Sequence, residues 1–362
     1  MSILIFFIIL LVLVIAHEFG HFIVAKKAGI RVDEFAFGFP PKIFGIKKGE
    51  TTYSFNLLPL GGYVKIYGEN PDEVKEADAK RSFAAQPRIV QACVIVAGII
   101  FNLILAWLFV VATLMIGIAA PVDGEDGAMV TSPKLMITEL TAHGPAEVAG
   151  LLPGDTIISV ADGVDQALAT APEAVSGFIG PREGHTITLT FERKGETKQL
   201  SMQPVSGINT RGAAIGIYMD MVGTLKLPIH KALWTGAVKT YEFTKLTVVG
   251  IYTFLWEAVT GHANMQEVTG PVGIVRAVGE AAGLGFSNLL LFTALISINL
   301  AVINIIPFPA LDGGRLLFIV IEAIMRKPIK TSVANALNFV GFALLMLLML
   351  AVTWHDVAKL MH

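Results

Sequence analysis

Four long apolar runs divide this chain. The first fills residues 1–25, with no Lys or Arg before Lys26. The second lies within 87–120, opening at Pro87-Arg88 and staying uncharged from Ile89 to Ala120. The third spans 284–311 and the fourth 333–354. Each meets or exceeds the roughly 20 residues an α-helix needs to cross a bilayer, so four transmembrane helices are predicted. Residues 225–261 follow another pattern. There Leu233, Trp234, Val238, Tyr241, Leu246 and Val249 recur at helical spacing, with Lys231, Lys239, Glu242 and Lys245 between them. That mixture predicts an amphipathic helix lying at the membrane interface, and a full crossing there would invert everything downstream.

Two stretches have no helical period. Across residues 32–67, Val32, Phe35, Phe37 and Phe39, then Tyr53, Phe55 and Leu57, then Tyr63, Val64 and Ile66 suggest short strands. Turns are expected at Gly38-Phe39-Pro40-Pro41, Lys48-Gly49-Glu50 and Leu60-Gly61-Gly62. This β-hairpin region is open to two readings, a plain cytoplasmic hairpin or an exposed edge that holds an extended peptide by strand addition. Glu69 to Arg81 reads as a charged loop. Residues 123–223 are mixed and punctuated by glycine: Ile187, Leu189 and Phe191 alternate with Thr188, Thr190 and Glu192 up to the Lys194-Gly195-Glu196 turn. Pro145 to Gly150 reads as a short helix, and Gly154-Asp155-Thr156-Ile157 as a tight turn feeding a buried strand. The text from Pro145 to Ile157 resembles a PDZ domain, a small α+β module.

Composition agrees with the apolar runs. Of 362 residues 54% are hydrophobic and 15% charged, and the mean hydropathy is +0.67, which indicates a polytopic membrane protein. The net charge of −2 says nothing about nucleic acid and no basic run suggests it, so no nucleic-acid partner is expected. Cys93 is the only cysteine, so there is no intrachain disulfide and no thiolate metal site. A cleaved signal peptide would need a basic start and a small-residue cleavage site, and the first run offers neither. Lys26, Lys27 and Arg31 follow run one, while Arg315, Arg326, Lys327 and Lys330 lie in a loop between runs three and four. By the positive-inside rule these segments are cytoplasmic. Both termini and the 123–223 domain are then extracytoplasmic.

Within run one stands His17-Glu18-Phe19-Gly20-His21. Histidines four apart share one helix face and can hold one zinc, with Glu18 beside it to take a proton from water. Zinc needs a third protein ligand. Asp312 ends run three, which crosses in the same direction as run one, so it reaches the depth of His17 and His21. It is also the only acid between Glu280 and Glu322. A carboxylate beside a span costs about 2.5–3.5 kcal/mol on insertion scales, and a metal would offset that. Pro307 and Pro309 forbid regular helix just before it, leaving backbone groups to be satisfied by protein, water or substrate. Asn102, polar within run two, is expected to hydrogen-bond between helices.

Taken together these residues resemble the site-2 protease family, in its RseP-type regulator-of-sigma intramembrane zinc metalloprotease branch. The resemblance is carried by His17 to His21, the β region, the PDZ-like stretch, Gly270-Pro271-Val272-Gly273-Ile274, and Asn304 to Gly314, which reads Asn-x-x-Pro-x-Pro-x-Leu-Asp-Gly. It implies zinc, one per chain, on His17, His21 and Asp312, with Glu18 as general base. It also implies that Asn304 contacts the substrate backbone, with Pro307 and Pro309 shaping that segment. The β region would be a membrane-reentrant loop, and the PDZ domain a filter against bulky ectodomains. The implied substrates are single-pass transmembrane proteins, such as anti-sigma factors or signal-peptide remnants, cleaved in the cell inner membrane. Relatives often carry two PDZ domains, and this chain has room for one. A metal transporter would use the same His and Asp but leave Glu18 idle, and a silent PDZ scaffold would leave the whole zinc set idle.

Overall fold

The computed structural model describes residues 1–69, 74, 76–122, 129–193, 195–209, 212–262 and 269–361. Asp123, where the PDZ-like stretch was expected to begin, Lys194 of the expected turn, and part of the charged 69–81 loop lie outside them. The chain forms two compact units, Met1–Thr113 with Ile229–His362, and Leu114–Pro228.

In the first unit, four helices among the described residues are long and apolar enough to span a membrane. They are α1 (Ser2–Lys27), α2 (Arg88–Ile116), α7 (Phe286–Ile305) and α9 (Thr331–Met361). Three further helices share this unit: α5 (Ile229–Thr260), α6 (Pro271–Gly283) and α8 (Asp312–Met325). Ile9 and Leu13 of α1 pack on Val278 of α6 in one buried cluster. Asp356 of α9 accepts hydrogen bonds from Gly270 and Gly273 N–H, satisfying donors at the start of α6 that no helical partner could reach. Along α5, Ala232, Gly236 and Thr240 form the buried stripe while Trp234, Tyr241 and Trp256 stay exposed.

Between α1 and α2, β1 (Val32–Lys48) and β2 (Thr51–Ile66) each bend midway and form one sheet. Residues 32–37 lie between the two halves of β2. Phe35 faces Tyr53 on one side and Val64 on the other, and Phe37 faces Phe55 and Gly62. The second half of β1 pairs outside Thr51–Asn56, from Lys48 opposite Thr51 to Lys42 opposite Asn56. Among the described residues, 62–66 are therefore the outer strand of this sheet next to 32–37. The bends fall at the Gly38–Pro41 and Leu60–Gly62 turns read from sequence. Phe22, Ala25, Ile30 and Val32 bury the root of this sheet against α1.

The segment after Asp312 departs from its sequence reading. It was expected to be a loop, and it is the helix α8. Ile306 leaves the helical region (φ −62°, ψ 132°), as a residue before proline must, and Ala310 turns the chain at φ 75°. Asp312 then sits in the first turn of α8, where a carboxylate is favoured by the helix dipole. The helix α6 was also missed. It has 13 residues and carries Arg276 and Glu280, too short and too charged to read as a span.

The second unit is built on a seven-stranded sheet. Its path is β3 (Ile118–Pro121), β11 (Ile217–Leu225), β4 (Val130–Leu140), β5 (Thr156–Ala161), β7 (Ile187–Arg193) and β8 (Glu196–Met202), with β6 (Gln166–Leu168) paired to β5. Helices α3 (Pro145–Ala149) and α4 (Pro172–Ile179) complete it, with the small pair β9 (Val205–Asn209) and β10 (Gly212–Ala214). Ile187, Leu189 and Phe191 are wholly buried, as their alternation requires. Asp155 is buried too, and Arg193 grips it through Nε–Oδ1 at 2.7 Å and Nη2–Oδ2 at 2.6 Å. Leu152 N–H donates to the same carboxylate at 2.9 Å. Because Asp155→Ala takes away the acceptor of Leu152 N–H and leaves part-exposed Arg193 with only the Gly150 carbonyl, it should destabilise this unit by about 1–3 kcal/mol. Pulse proteolysis of the full chain in rising urea should cut within 129–225 at clearly lower urea than in wild type, and an unshifted profile would contradict the prediction.

Candidate metal centre

The site begins with two histidines on one face of α1. His17 and His21, one turn apart, present their Nε2 atoms 3.2 Å from each other, and both side chains are buried. Asp312 at the start of α8 brings Oδ2 to 3.0 Å from His17 Nε2 and 3.3 Å from His21 Nε2. Its approach depends on two glycines. A Cβ on Gly313 would collide with the Ile305 and Ile306 carbonyls, and one on Gly314 with that of Phe308. The Pro307–Pro309 bend can thus fold back tightly on α8.

Helix α2 fixes the imidazoles from behind, with Val94, Gly98 and Asn102 forming a stripe at four-residue spacing. His21 Nδ1–H donates to the Val94 carbonyl at 2.8 Å, which leaves its Nε2 as a bare lone pair. Asn102 lies 3.2 Å from His17 Nδ1. Asn102 Oδ1 is buried without a donor, and turning the amide over gives it the His17 Nδ1–H. Both Nε2 atoms then carry lone pairs facing Asp312 Oδ2, which is also buried without a hydrogen-bond donor. Three lone pairs converging on one point repel unless a cation stands among them. Donors about 2.0–2.1 Å from a tetrahedral zinc lie about 3.3 Å apart, the spacing seen here. This donor set fits zinc, and it is the one cluster of three or more such groups among the described residues.

Glu18, half-buried, lines the same cavity of about 310 Å³ as His17, His21 and Asp312. Tyr63, Val64, Lys65 and Ile66 of the outer strand form one of its walls, and a Cβ at Gly62 would stand 3.5 Å from Glu18 Cγ. Asn304, Pro307 and Pro309 are not part of this wall. Asn304 is half-buried in the last turn of α7, and Pro309 packs beneath Gly341 of α9.

Sequence reasoning missed the α2 stripe. Asn102 was read as a helix–helix contact, and it is one, reaching from α2 to His17 of α1; what the sequence did not show is that this partner belongs to the site, or that Ser297 of α7 binds the Asn102 backbone carbonyl at 2.8 Å. Gly98 carried no signal beyond its place four residues before a lone asparagine. A Cβ there would overlap His21 Nε2 and stand 2.9 Å from His17 Cε1. Gly98→Ala should therefore weaken zinc retention by about 10–100-fold, the range seen when support around ligands is lost. Titration with a zinc-buffered dye checks this, and wild-type affinity would contradict it.

Comparison with known proteins places these features in context. The sequence profile of peptidase family M50 matches residues 5–348. Zinc metalloprotease RasP of Geobacillus kaustophilus is 32% identical across 99% of this chain and 98% of its own length. Zinc metalloprotease RasP of Oceanobacillus iheyensis is 32% identical, covering 96% and 97%. The regulator of sigma-W protease RasP of Bacillus subtilis is also 32% identical, covering 98% of each chain. Among solved structures, a PDZ domain of an SdrC-like protein from Listeria monocytogenes aligns with 25% of this chain and 90% of its own, at 21% identity. Its TM-score of 0.21 is too low to argue from.

Proposed function

This chain belongs to peptidase family M50 and is an intramembrane zinc metalloprotease, and on that premise we propose that His17, His21 and Asp312 hold its zinc while Glu18 is the general base. The observation that carries the assignment is the meeting of two imidazole nitrogens and a carboxylate oxygen 3.0–3.3 Å apart, with a second carboxylate at the side of the same cavity. Zinc, when bound, supplies Lewis-acid chemistry, acidifying water and polarising a carbonyl. Glu18 accepts the proton of the attacking water and delivers it to the departing amine nitrogen. The carbonyl of Val94 and the amide of Asn102 keep both imidazoles in the tautomer that presents Nε2.

The substrate is a single-pass membrane protein, of the anti-sigma-factor or signal-peptide-remnant kind, whose scissile stretch is drawn out of helix. A helix hides its carbonyls in its own hydrogen bonds, so an unwound segment needs other partners. Residues 62–66 supply them. They form the outer strand of the sheet beside residues 32–37, and Tyr63 to Ile66 line the Glu18 cavity, which supports strand addition. Asn304 contacts the substrate backbone, and Pro307 and Pro309 shape the turn that carries Asp312. Lys26 and Lys27 at the end of α1 with Arg31 just beyond it, and the basic residues between α8 and α9, support a site opening toward the cytoplasm, with both termini and the second unit outside. That unit acts as a single PDZ filter against bulky ectodomains, and α5 lies along the membrane interface.

Metal removal tests the assignment. Purified protein should contain one zinc, cleave a membrane-anchored single-pass substrate in detergent, lose cleavage on treatment with 1,10-phenanthroline, and regain it with zinc. Failure to cut any of several such substrates at full zinc occupancy would refute it, and zinc flux into liposomes would favour a transporter.

A further inference from the structure

Beside the metal cavity lies a larger one of about 640 Å³, walled by Gln91 of α2, Phe318 of α8 and Asn335 of α9. The two share Lys65, Ile66, Glu69, Ile95 and Arg315. At this boundary the Arg315 guanidinium forms an ion pair with the Glu69 carboxylate, just beyond β2. Arg315 follows Asp312 by three residues on α8, so the two rise from neighbouring positions on one helix face. Neither zinc binding nor proton transfer gives this guanidinium a task.

Hydrolysis itself creates one. Oxygen from water joins the scissile carbonyl carbon and the C–N bond breaks. One fragment keeps a new C-terminal carboxylate, and the other takes the proton on its new amine. A neutral amide has become an anion inside a cavity that holds a guanidinium, the side chain best shaped to take a carboxylate on a planar fork. Glu69 shows the fork already occupied by such a group. The pair remains open to water, with side-chain exposure of 45% for Arg315 and 29% for Glu69, so exchange of partners is feasible.

We propose that Arg315 receives the new C-terminal carboxylate of the cleaved chain, and that Glu69 is a tethered competitor which holds the guanidinium before cleavage and reclaims it afterwards. Reclaiming it frees the carboxylate-ended fragment at the mouth of the larger cavity. The proposal rests on the protease reading and adds a product site to it.

Binding to the zinc-stripped full-length protein tests it without turnover. The probe is a fluorescent apolar peptide in two forms, one ending in a free carboxylate and one in an amide, followed by anisotropy in detergent. Wild type should prefer the carboxylate form. Arg315→Gln should weaken that form about tenfold while leaving the amide form unchanged. Glu69→Gln should act in the opposite direction and tighten the carboxylate form several-fold, and Arg315→Lys should retain part of the preference. Equal binding of both forms by wild type would overturn the proposal. So would a Glu69→Gln protein that weakens like Arg315→Gln, because the pair would then be only a brace between β2 and α8. A protein that cleaves substrate but lacks the Arg315-dependent preference defeats this proposal alone. One that shows the preference but never cleaves defeats the protease reading instead.

Discussion

Replacing Glu18 by Gln lowers substrate cleavage by about 10³-fold and leaves the zinc content unchanged, a loss within the range for removal of a general base. The substitution keeps the size of the side chain and its place on the cavity wall beside Tyr63 and Val64. What disappears is the ability to accept a proton. Glu18 is not one of the three groups whose donor atoms converge, so zinc should stay. Single-turnover cleavage of a membrane-anchored substrate, read beside elemental analysis of the same sample, separates the two effects. Loss of zinc together with activity would make Glu18 a ligand, and wild-type cleavage would remove it from the mechanism.

How much of this centre was legible in the sequence depended on how local each signal was. His17, Glu18 and His21 belong to one turn of one helix, so their spacing alone fixes a shared face. Asp312 is 291 residues beyond His21 and was reached by counting crossings, because two spans running in the same direction bring equivalent ends to equal depth. The α2 stripe had neither kind of signal. Val94 acts through its backbone carbonyl and Gly98 through the absence of a side chain, so neither property shows in residue type. Asn102 was visible as a polar residue in an apolar run, but which helix it faced was a matter of packing. The β region shows the same division. Its turns were readable from glycine and proline, whereas the order of its strands, which leaves 62–66 on the outside beside Glu18, came only from the pairing.

Asp312→Asn should have the opposite signature to Glu18→Gln, losing the metal first and activity as a consequence. Asp312 Oδ2 faces two nitrogen lone pairs at 3.0 and 3.3 Å, and is the only anionic donor among the three. Asparagine keeps the shape but presents a weakly basic carbonyl or an N–H, and the N–H would point at the site where the ion belongs. Zinc affinity should fall by more than the roughly 10–100-fold typical of lost supporting contacts, because a ligand itself is gone. Cleavage should then return in part as free zinc is raised, since mass action refills a weakened site. Glu18→Gln should show no such rescue at any zinc concentration. Measuring activity against buffered free zinc for both variants therefore distinguishes a ligand from a base. An Asp312→Asn protein with wild-type zinc affinity would move the third ligand elsewhere, and with it the reason that Gly313 and Gly314 bring α8 so close to the chain before it.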